Sequence, residues 1–376
     1  MSTTDPECKK LVDQTDHELK EELIPKETKD HPHVFNETKS IIFALLTGCF
    51  YALHNFTLGG LAKMGYLARF DTGIGMGIGA GIYYTYQFIQ TKRNNQKFFD
   101  WKKSIFRNQN TEIPEYQREK FEYWILAGVI SIAVLAVGFG IVVIISFKLA
   151  LEGGMNQGII TAIYGMTPFI ASILFYLKFG ETLKVSQLIG MVFMIVCIIM
   201  IGLLRAPSEE ASAREDYNPS GVAIALILSI ICPFAFALNG LIIRLLCMKY
   251  RVNVNELNQT ALLCQGGLVL IGSIIGYSAD NYEFIWFDFL QMILAGIIVN
   301  AGGSLGAVAV SIGNAGVAYS LFNTQVIIFI LLAALLLGQI PTTIEIVAVA
   351  FGIVGSCIMS LGPEIHKKLS NIFRRE

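Results

Sequence analysis

Apolar residues in this chain are gathered into blocks bounded by charge, proline or glycine. Ten blocks can be marked, near 39–62, 70–90, 123–150, 155–178, 185–204, 218–247, 257–277, 286–311, 315–338 and 342–361. A helix crossing a hydrocarbon layer of about 30 Å needs roughly 20 residues, a length every block meets. The blocks centred on 45, 135, 195, 225 and 330 are the plainest. The second is the weakest, because residues 73–81 read GIGMGIGAG. The pattern predicts an all-α membrane protein with ten transmembrane helices. Residues 1–37 mix both charges and hold too few apolar side chains to offset the entropy of ordering, so they are expected to form a disordered cytosolic tail. They show no short apolar core behind a basic head, so no cleavable signal peptide is expected.

Composition agrees: 54% of the residues are apolar and 15% charged, against about 25% charged in soluble domains. A net charge of −1 favours neither acidic nor basic partners, and no nucleic-acid surface is expected. The basic residues set an orientation, because cytosolic loops of membrane proteins carry the excess of Lys and Arg. With the N-terminus in the cytosol, 23 of the 28 basic residues fall inside, most of them in the tail, the loop 92–122 and the C-terminal segment 363–376. Only Lys63, Arg69, Lys148, Arg205 and Arg214 fall outside. Both termini are therefore predicted to be cytosolic. The Asn-x-Ser/Thr sites at Asn36, Asn55 and Asn258 then lie in the cytosol or in spans and should carry no glycan. The seven cysteines form no CxxC pair and read as small apolar packing residues.

The chain repeats itself. NQGIITAIYGMTPFIASILFYLKFGETLKVSQLIGMVFMIVCIIM aligns without a gap on NAGVAYSLFNTQVIIFILLAALLLGQIPTTIEIVAVAFGIVGSCIM. Asn156 falls on Asn314, Gly158 on Gly316, Gly180 on Gly338 and Phe193 on Phe351. Earlier in each half, the YALH of 51–54 falls on the FALN of 236–239. Five spans separate equivalent positions, and an odd number reverses the direction of crossing. Two inverted five-helix repeats are therefore predicted, residues 38–204 and 205–362. This arrangement recurs in secondary transporters, with substrate bound near the midplane.

The stretch ALEGGMNQGIITAIYGMTPFIASILFYLKFGETLKVSQLIGMVFMIV resembles the closing segment of an EamA-type repeat of the drug/metabolite transporter superfamily. Pro168, Gly180, Glu181, Gln187 and Gly190 stand where that pattern has them. The second half keeps Gly338 but has Gln339 for the Glu, Val326 for the Pro and Ala348 for the Gly. The resemblance implies ten helices, two inverted halves, and solute exchange or proton-linked transport.

Polar groups inside a span are costly and by default face a cavity or a partner helix. His54 lies mid-helix in the first span, with Asn239 as its repeat partner in the sixth, and the pair suits a midplane substrate site. Asn55 points about 100° away and reads as packing glue. Tyr319 and Asn323 share a face of span nine, with Gln325 to the side. The matching stretch of span four brings Thr161, Tyr164, Gly165 and Pro168, and the proline is expected to kink that helix. Asn300 and Ser304 on span eight and Gln265 on span seven are further candidates for the cavity wall. Asp71 reads as a solvated cap at the mouth of span two, and Glu181 and Gln339 as turn residues. The glycines at 73–81 read as a close-packing surface, since a nucleotide loop would need a strand and a βαβ unit.

No Lys or Arg occurs between Arg251 and Lys367, nor between Lys148 and Lys178. A phosphate-bearing substrate would need a buried cation opposite it, so a neutral, zwitterionic or cationic organic solute is expected. The expected function is secondary transport of such a solute by alternating access. The alternative is a membrane scaffold or receptor that keeps the carrier fold. No catalytic constellation, metal site, cofactor motif or ATP-binding loop is evident, and an enzyme is not expected. The bilayer and a small molecule are the expected partners, with a homodimer left open.

Overall fold

The structure, a computed structural model, describes residues 37–60, 70–94, 104–111, 113–118, 120–152, 160, 163–180, 185–203, 219–279, 284–313, 315–337, 343–344, 346–355 and 357–358. Among these residues the secondary structure is helical, save one isolated β-bridge between Arg107 and Phe121. Besides a single turn at Glu115–Arg118, the helices are α1 (Glu37–Gly60), α2 (Thr72–Arg93), α3 (Tyr123–Glu152), α4 (Thr167–Phe179), α5 (Val185–Leu203), α6 (Pro219–Tyr250), α7 (Val254–Ala279), α8 (Trp286–Ile312), α9 (Ala315–Phe322), α10 (Thr324–Leu337) and α11 (Ile346–Gly355). Six stretches are long and apolar enough to cross a membrane: Thr38–Leu58, Tyr123–Ala150, Ser220–Tyr250, Val254–Ala279, Trp286–Ile312 and Ala315–Leu336. The chain is an all-α, multi-pass membrane protein. Its outer faces fit that setting. On α6, Ile224, Ile227, Ile231, Phe234 and Leu238 are exposed at helical spacing, an apolar stripe that water would penalise and lipid does not.

Hydropathy alone does not single out α2, and packing explains why it is nonetheless central. A hypothetical Cβ on Gly75 would strike the carbonyl oxygen of Ile293, and one on Gly77 would lie 2.8 Å from the Cα of Gly266. Helix backbones therefore touch directly, α2 against α8 at Gly75/Gly296 and against α7 at Gly77/Gly266. Between helices in lipid there is little hydrophobic drive, and small residues that allow such approach supply the dispersion contact instead. Gly73 and Gly79 pack against Val269 and Asn300, whereas a Cβ on Gly81 would meet none of the described residues. The close-packing expectation thus holds for four of the five glycines.

Other helix pairs meet by different means. α1 lies along α8, where Ser40 Oγ donates to Ala309 O at 2.9 Å and Thr47 Oγ1 to Gly302 O at 3.1 Å. α3 and α6 interlock through aliphatic side chains, with Ile125, Val129 and Ile132 against Ile243 and Leu246. α4, α6 and α9 share a small-residue core of Ala171, Ala237, Ala315 and Ala318 with Ile170 and Phe175.

Spans four and nine are broken. In span four a 3₁₀ turn, Tyr164–Met166, precedes α4, and Pro168 lies in the first turn of α4. The break is thus three residues ahead of the proline, which takes a position where its missing N–H costs nothing. Span nine breaks between α9 and α10 at Asn323, with no proline there. Asn323 lies opposite the first break: its Nδ2 donates to Gly165 O at 3.4 Å. α4 ends on Gly180 in the left-handed region (φ 68°), its N–H bonded to Tyr176 O at 2.9 Å, as a glycine C-cap requires. Glu181, Gly338 and Gln339 lie outside the described residues.

The glycine contacts generate the first prediction. Gly75→Ala should lower the melting temperature of the detergent-solubilised protein, since overpacking costs about 1–3 kcal/mol. Gly81→Ala should leave it unchanged or raise it, by the roughly 1 kcal/mol helix preference for alanine. Equal effects from the two substitutions would refute a close α2–α8 contact.

Candidate functional site

The helices enclose a central cavity of about 210 Å³, lined from α1, α2, α3, α6, α7, α8 and both broken spans. Its wall is mainly apolar and aromatic with neutral polar groups set into it. Among the described residues no Lys, Arg, Asp or Glu lines it. Ligand pockets of this character bury most of a small organic molecule and orient it with a few polar atoms.

Four rings form its centre. Tyr51 of α1 and Phe236 of α6 lie with centroids 6.4 Å apart. Phe322, at the end of α9, meets Tyr51 edge-on at 6.1 Å, and Tyr164, at the break of span four, meets Phe236 edge-on at 6.5 Å. Tyr319 packs against Phe322 at 5.2 Å and donates its hydroxyl to Phe236 O at 3.1 Å, pinning α9 to α6. Edge-to-face geometry of this kind is favoured by the ring quadrupoles and fixes ring orientation.

Around the rings stand the polar side chains. His54 lines the cavity beside the backbone of Ala295 on α8, and its Nδ1 has no partner among the described residues. Asn239 Oδ1, Asn258 Nδ2 and Gln265 Oε1 are likewise buried without a partner among the described residues, and all three residues line the same cavity. Buried polar atoms left unpaired cost about 1–3 kcal/mol each, so such a concentration at one cavity marks it as a place where a polar guest would be stabilised. Other lining amides are already paired. Asn55 Nδ2 donates to Gln325 Oε1 at 3.1 Å, and Gln265 Nε2 contacts Met76 Sδ at 3.2 Å.

Of the candidates read from the sequence, His54, Asn239, Tyr164, Tyr319, Asn323 and Gln265 lie together on this wall. Pro168 is buried beside it, and its neighbour Thr167 lines the cavity instead. Asn300 is not on the wall. It bridges helices, with Nδ2 donating to Met76 O at 3.0 Å and to Gln259 Oε1 at 3.1 Å, and Ser304 accepts from Gln259 at 2.7 Å. Thr161 lies outside the described residues. Asp71 is no solvated cap: it is wholly buried, and its carboxylate accepts Ser273 Oγ at 2.6 Å and Tyr277 OH at 2.8 Å. Sequence reasoning missed Asn55, Gln325 and Asn258 as wall residues. The available signal was the spacing of Asn258, Leu262, Gln265 and Val269, in steps of four, three and four, along one face of α7.

No family model matches the chain, and no curated protein sequence does. Solved structures do: 25 chains resemble it in fold. One, described only as the crystal structure of a protein, superposes with a TM-score of 0.57 at 14% identity, covering 86% of this chain and 95% of its own. That likeness concerns the fold alone.

The Asn55–Gln325 pair generates a second prediction. Asn55→Leu and Gln325→Leu should each destabilise the protein by about 1 kcal/mol, by stranding a buried amide. The double variant should recover most of the loss. Additive losses in thermal unfolding would show that the amides act separately.

Proposed function

We propose that this chain is a secondary transporter of the drug/metabolite type, an EamA-like carrier of ten helices in two inverted five-helix repeats. It moves a small neutral, zwitterionic or cationic organic solute through the central cavity. One observation carries this reading: residues matched by the sequence repeat meet each other in space. Tyr51 meets its counterpart Phe236, Asn323 meets Gly165, and Phe193 meets Phe351 with ring centroids 5.6 Å apart. Equivalent residues of two copies can touch only near a two-fold axis relating them. The flanking contacts support the same relation. Exchanging the copies turns the Tyr51–Phe322 pair into Phe236–Tyr164, and both pairs are edge-on at similar distance.

Such an axis lies in the membrane plane when the repeats are inverted, and the cavity then sits where the halves rock against each other. His54 and Asn239, equivalent in the repeat, supply from opposite halves polar atoms that have no partner among the described residues. The uncharged wall favours solutes without phosphate, since a buried phosphate without a cation is strongly disfavoured. The rings give a cationic or apolar moiety a face to stack on.

The test is a thermal-shift panel on purified protein with amino acids, nucleobases, polyamines, vitamins, sugars and sugar phosphates. A ligand of the folded state stabilises by about 2.7 kcal/mol at a hundred times its dissociation constant. A neutral or cationic hit is expected, lost in His54→Leu and in Asn239→Leu while each variant keeps its own unliganded melting temperature. A response confined to sugar phosphates would overturn the substrate class. Silence across the panel would favour a scaffold or receptor.

A further inference from the structure

Asp71 is the one wholly buried carboxylate among the described residues. Each oxygen accepts one hydroxyl from α7, Ser273 at 2.6 Å and Tyr277 at 2.8 Å, and among the described residues no cation bridges it. A buried carboxylate held by hydroxyls carries a desolvation penalty that a counter-charge would otherwise offset. Neutralisation by a proton removes that penalty, so the group is poised to change charge rather than to keep it.

Its place in the fold ties this charge to the cavity. The residues on either side of it, Phe70 and Thr72, line the cavity wall. On α7, the cavity-lining stripe Asn258, Leu262, Gln265 and Val269 continues in steps of four to Ser273 and Tyr277. One face of one helix thus carries polar contacts at the cavity and the two hydroxyls on the carboxylate. Beside it, Gly73 packs on Val269 and Gly77 on Gly266, the closest approach of α2 to α7.

We propose that Asp71, with Ser273 and Tyr277, is a proton-coupling site for the carrier function inferred above. A proton from water adds to a carboxylate oxygen on one side of the membrane and leaves to water on the other. Ionised, the carboxylate accepts from both hydroxyls in charge-assisted bonds and clasps the end of α7 to α2. Neutral, it has an O–H of its own to donate, so one of the two bonds must reverse or break and the clasp weakens. The ionisable groups on the elements packed here are few. α7 brings Tyr277 itself. α8 brings Asp288, one turn before the Met292 that Thr72 contacts at 3.4 Å. α1 brings His54, beside the backbone of Ala295.

The test uses the full chain in lipid nanodiscs and infrared difference spectra against pH, with no solute added. A carboxylic-acid carbonyl band is expected to grow in as the pH falls. It should vanish in Asp71→Asn and persist in Asp288→Asn. Tyr277→Phe and Ser273→Ala remove donors to the charged form, so each should move the midpoint up by about one pH unit. Those two variants carry the test if Asp71→Asn does not fold. At fixed pH, amides of residues 269–279 should exchange about tenfold faster in Asp71→Asn, as for loss of a charge-assisted bond. A band that survives Asp71→Asn, a midpoint indifferent to the hydroxyl variants, or unchanged exchange would each overturn the proposal. Displacement of the band by sodium but not by choline at constant pH would overturn it in favour of a sodium site. None of these readouts needs a transported solute, so their failure is separable from failure of the carrier reading.

Discussion

Inside a bilayer, helices gain little from hiding apolar surface from one another, because lipid is as apolar as the neighbouring helix. What remains is close contact, and in this protein the closest contact is made by the glycines of α2. Gly75 lies against Gly296 and Gly77 against Gly266, with no side chain between the backbones. That constraint places α2 in the cleft between α7 and α8, and α8 in turn lies along α1 through Gly302 and Gly306. The α3–α6 pair is held by branched and long aliphatic side chains instead. The space between the glycine-tight and the side-chain-spaced regions is filled by four rings and the cavity beside them.

Polar side chains divide into two populations around this frame. Away from the cavity several are paired between helices: Gln259 with Asn300 and Ser304, Ser40 with Ala309. Their bonds fix rotation and register, which apolar packing leaves loosely specified. At the cavity several have no partner among the described residues, notably His54 Nδ1 and Asn239 Oδ1. Satisfied amides hold the walls, and unsatisfied ones leave an energetic deficit that a suitable guest would relieve.

Much of this was legible in the sequence because hydropathy needs only composition over a window. The six blocks 39–62, 123–150, 218–247, 257–277, 286–311 and 315–338 reappear as spanning stretches within a few residues. His54 and Asn239 were legible because a polar group amid aliphatics is conspicuous wherever the helix is rotated. Asn55 bridges helices, as expected of packing glue, but its place on the cavity wall was not legible. Which wall it joins depends on the angle between α1 and α10, and its bond to Gln325 spans 270 positions. Asn300 was misread, since α8 turns it toward Gln259 and Met76. Asp71 looked solvated because it stands at the very start of its apolar block. Its burial follows from the return of the far end of α7, which no local pattern encodes. The break at Asn323 has no proline to announce it, and only its register with Gly165 hints at it.

Those two breaks bear on movement. An unbroken helix resists bending because each tilt must lengthen or lose main-chain bonds that lipid cannot replace. At Tyr164–Met166 and at Asn323 the α-helical ladder is already interrupted, and local bonds such as Asn323 N–H to Ser320 O at 3.2 Å take over. The bond from Asn323 to Gly165 joins the breaks across the cavity, and Tyr319 ties one of them to α6. If the halves rock as a carrier requires, the motion is cheapest here, where the backbone has already given up its regular bonds. Tyr164 and Phe322 sit on the two breaks and belong to the central ring cluster. A tilt at either break therefore moves a wall of the cavity directly, without a further element to transmit it.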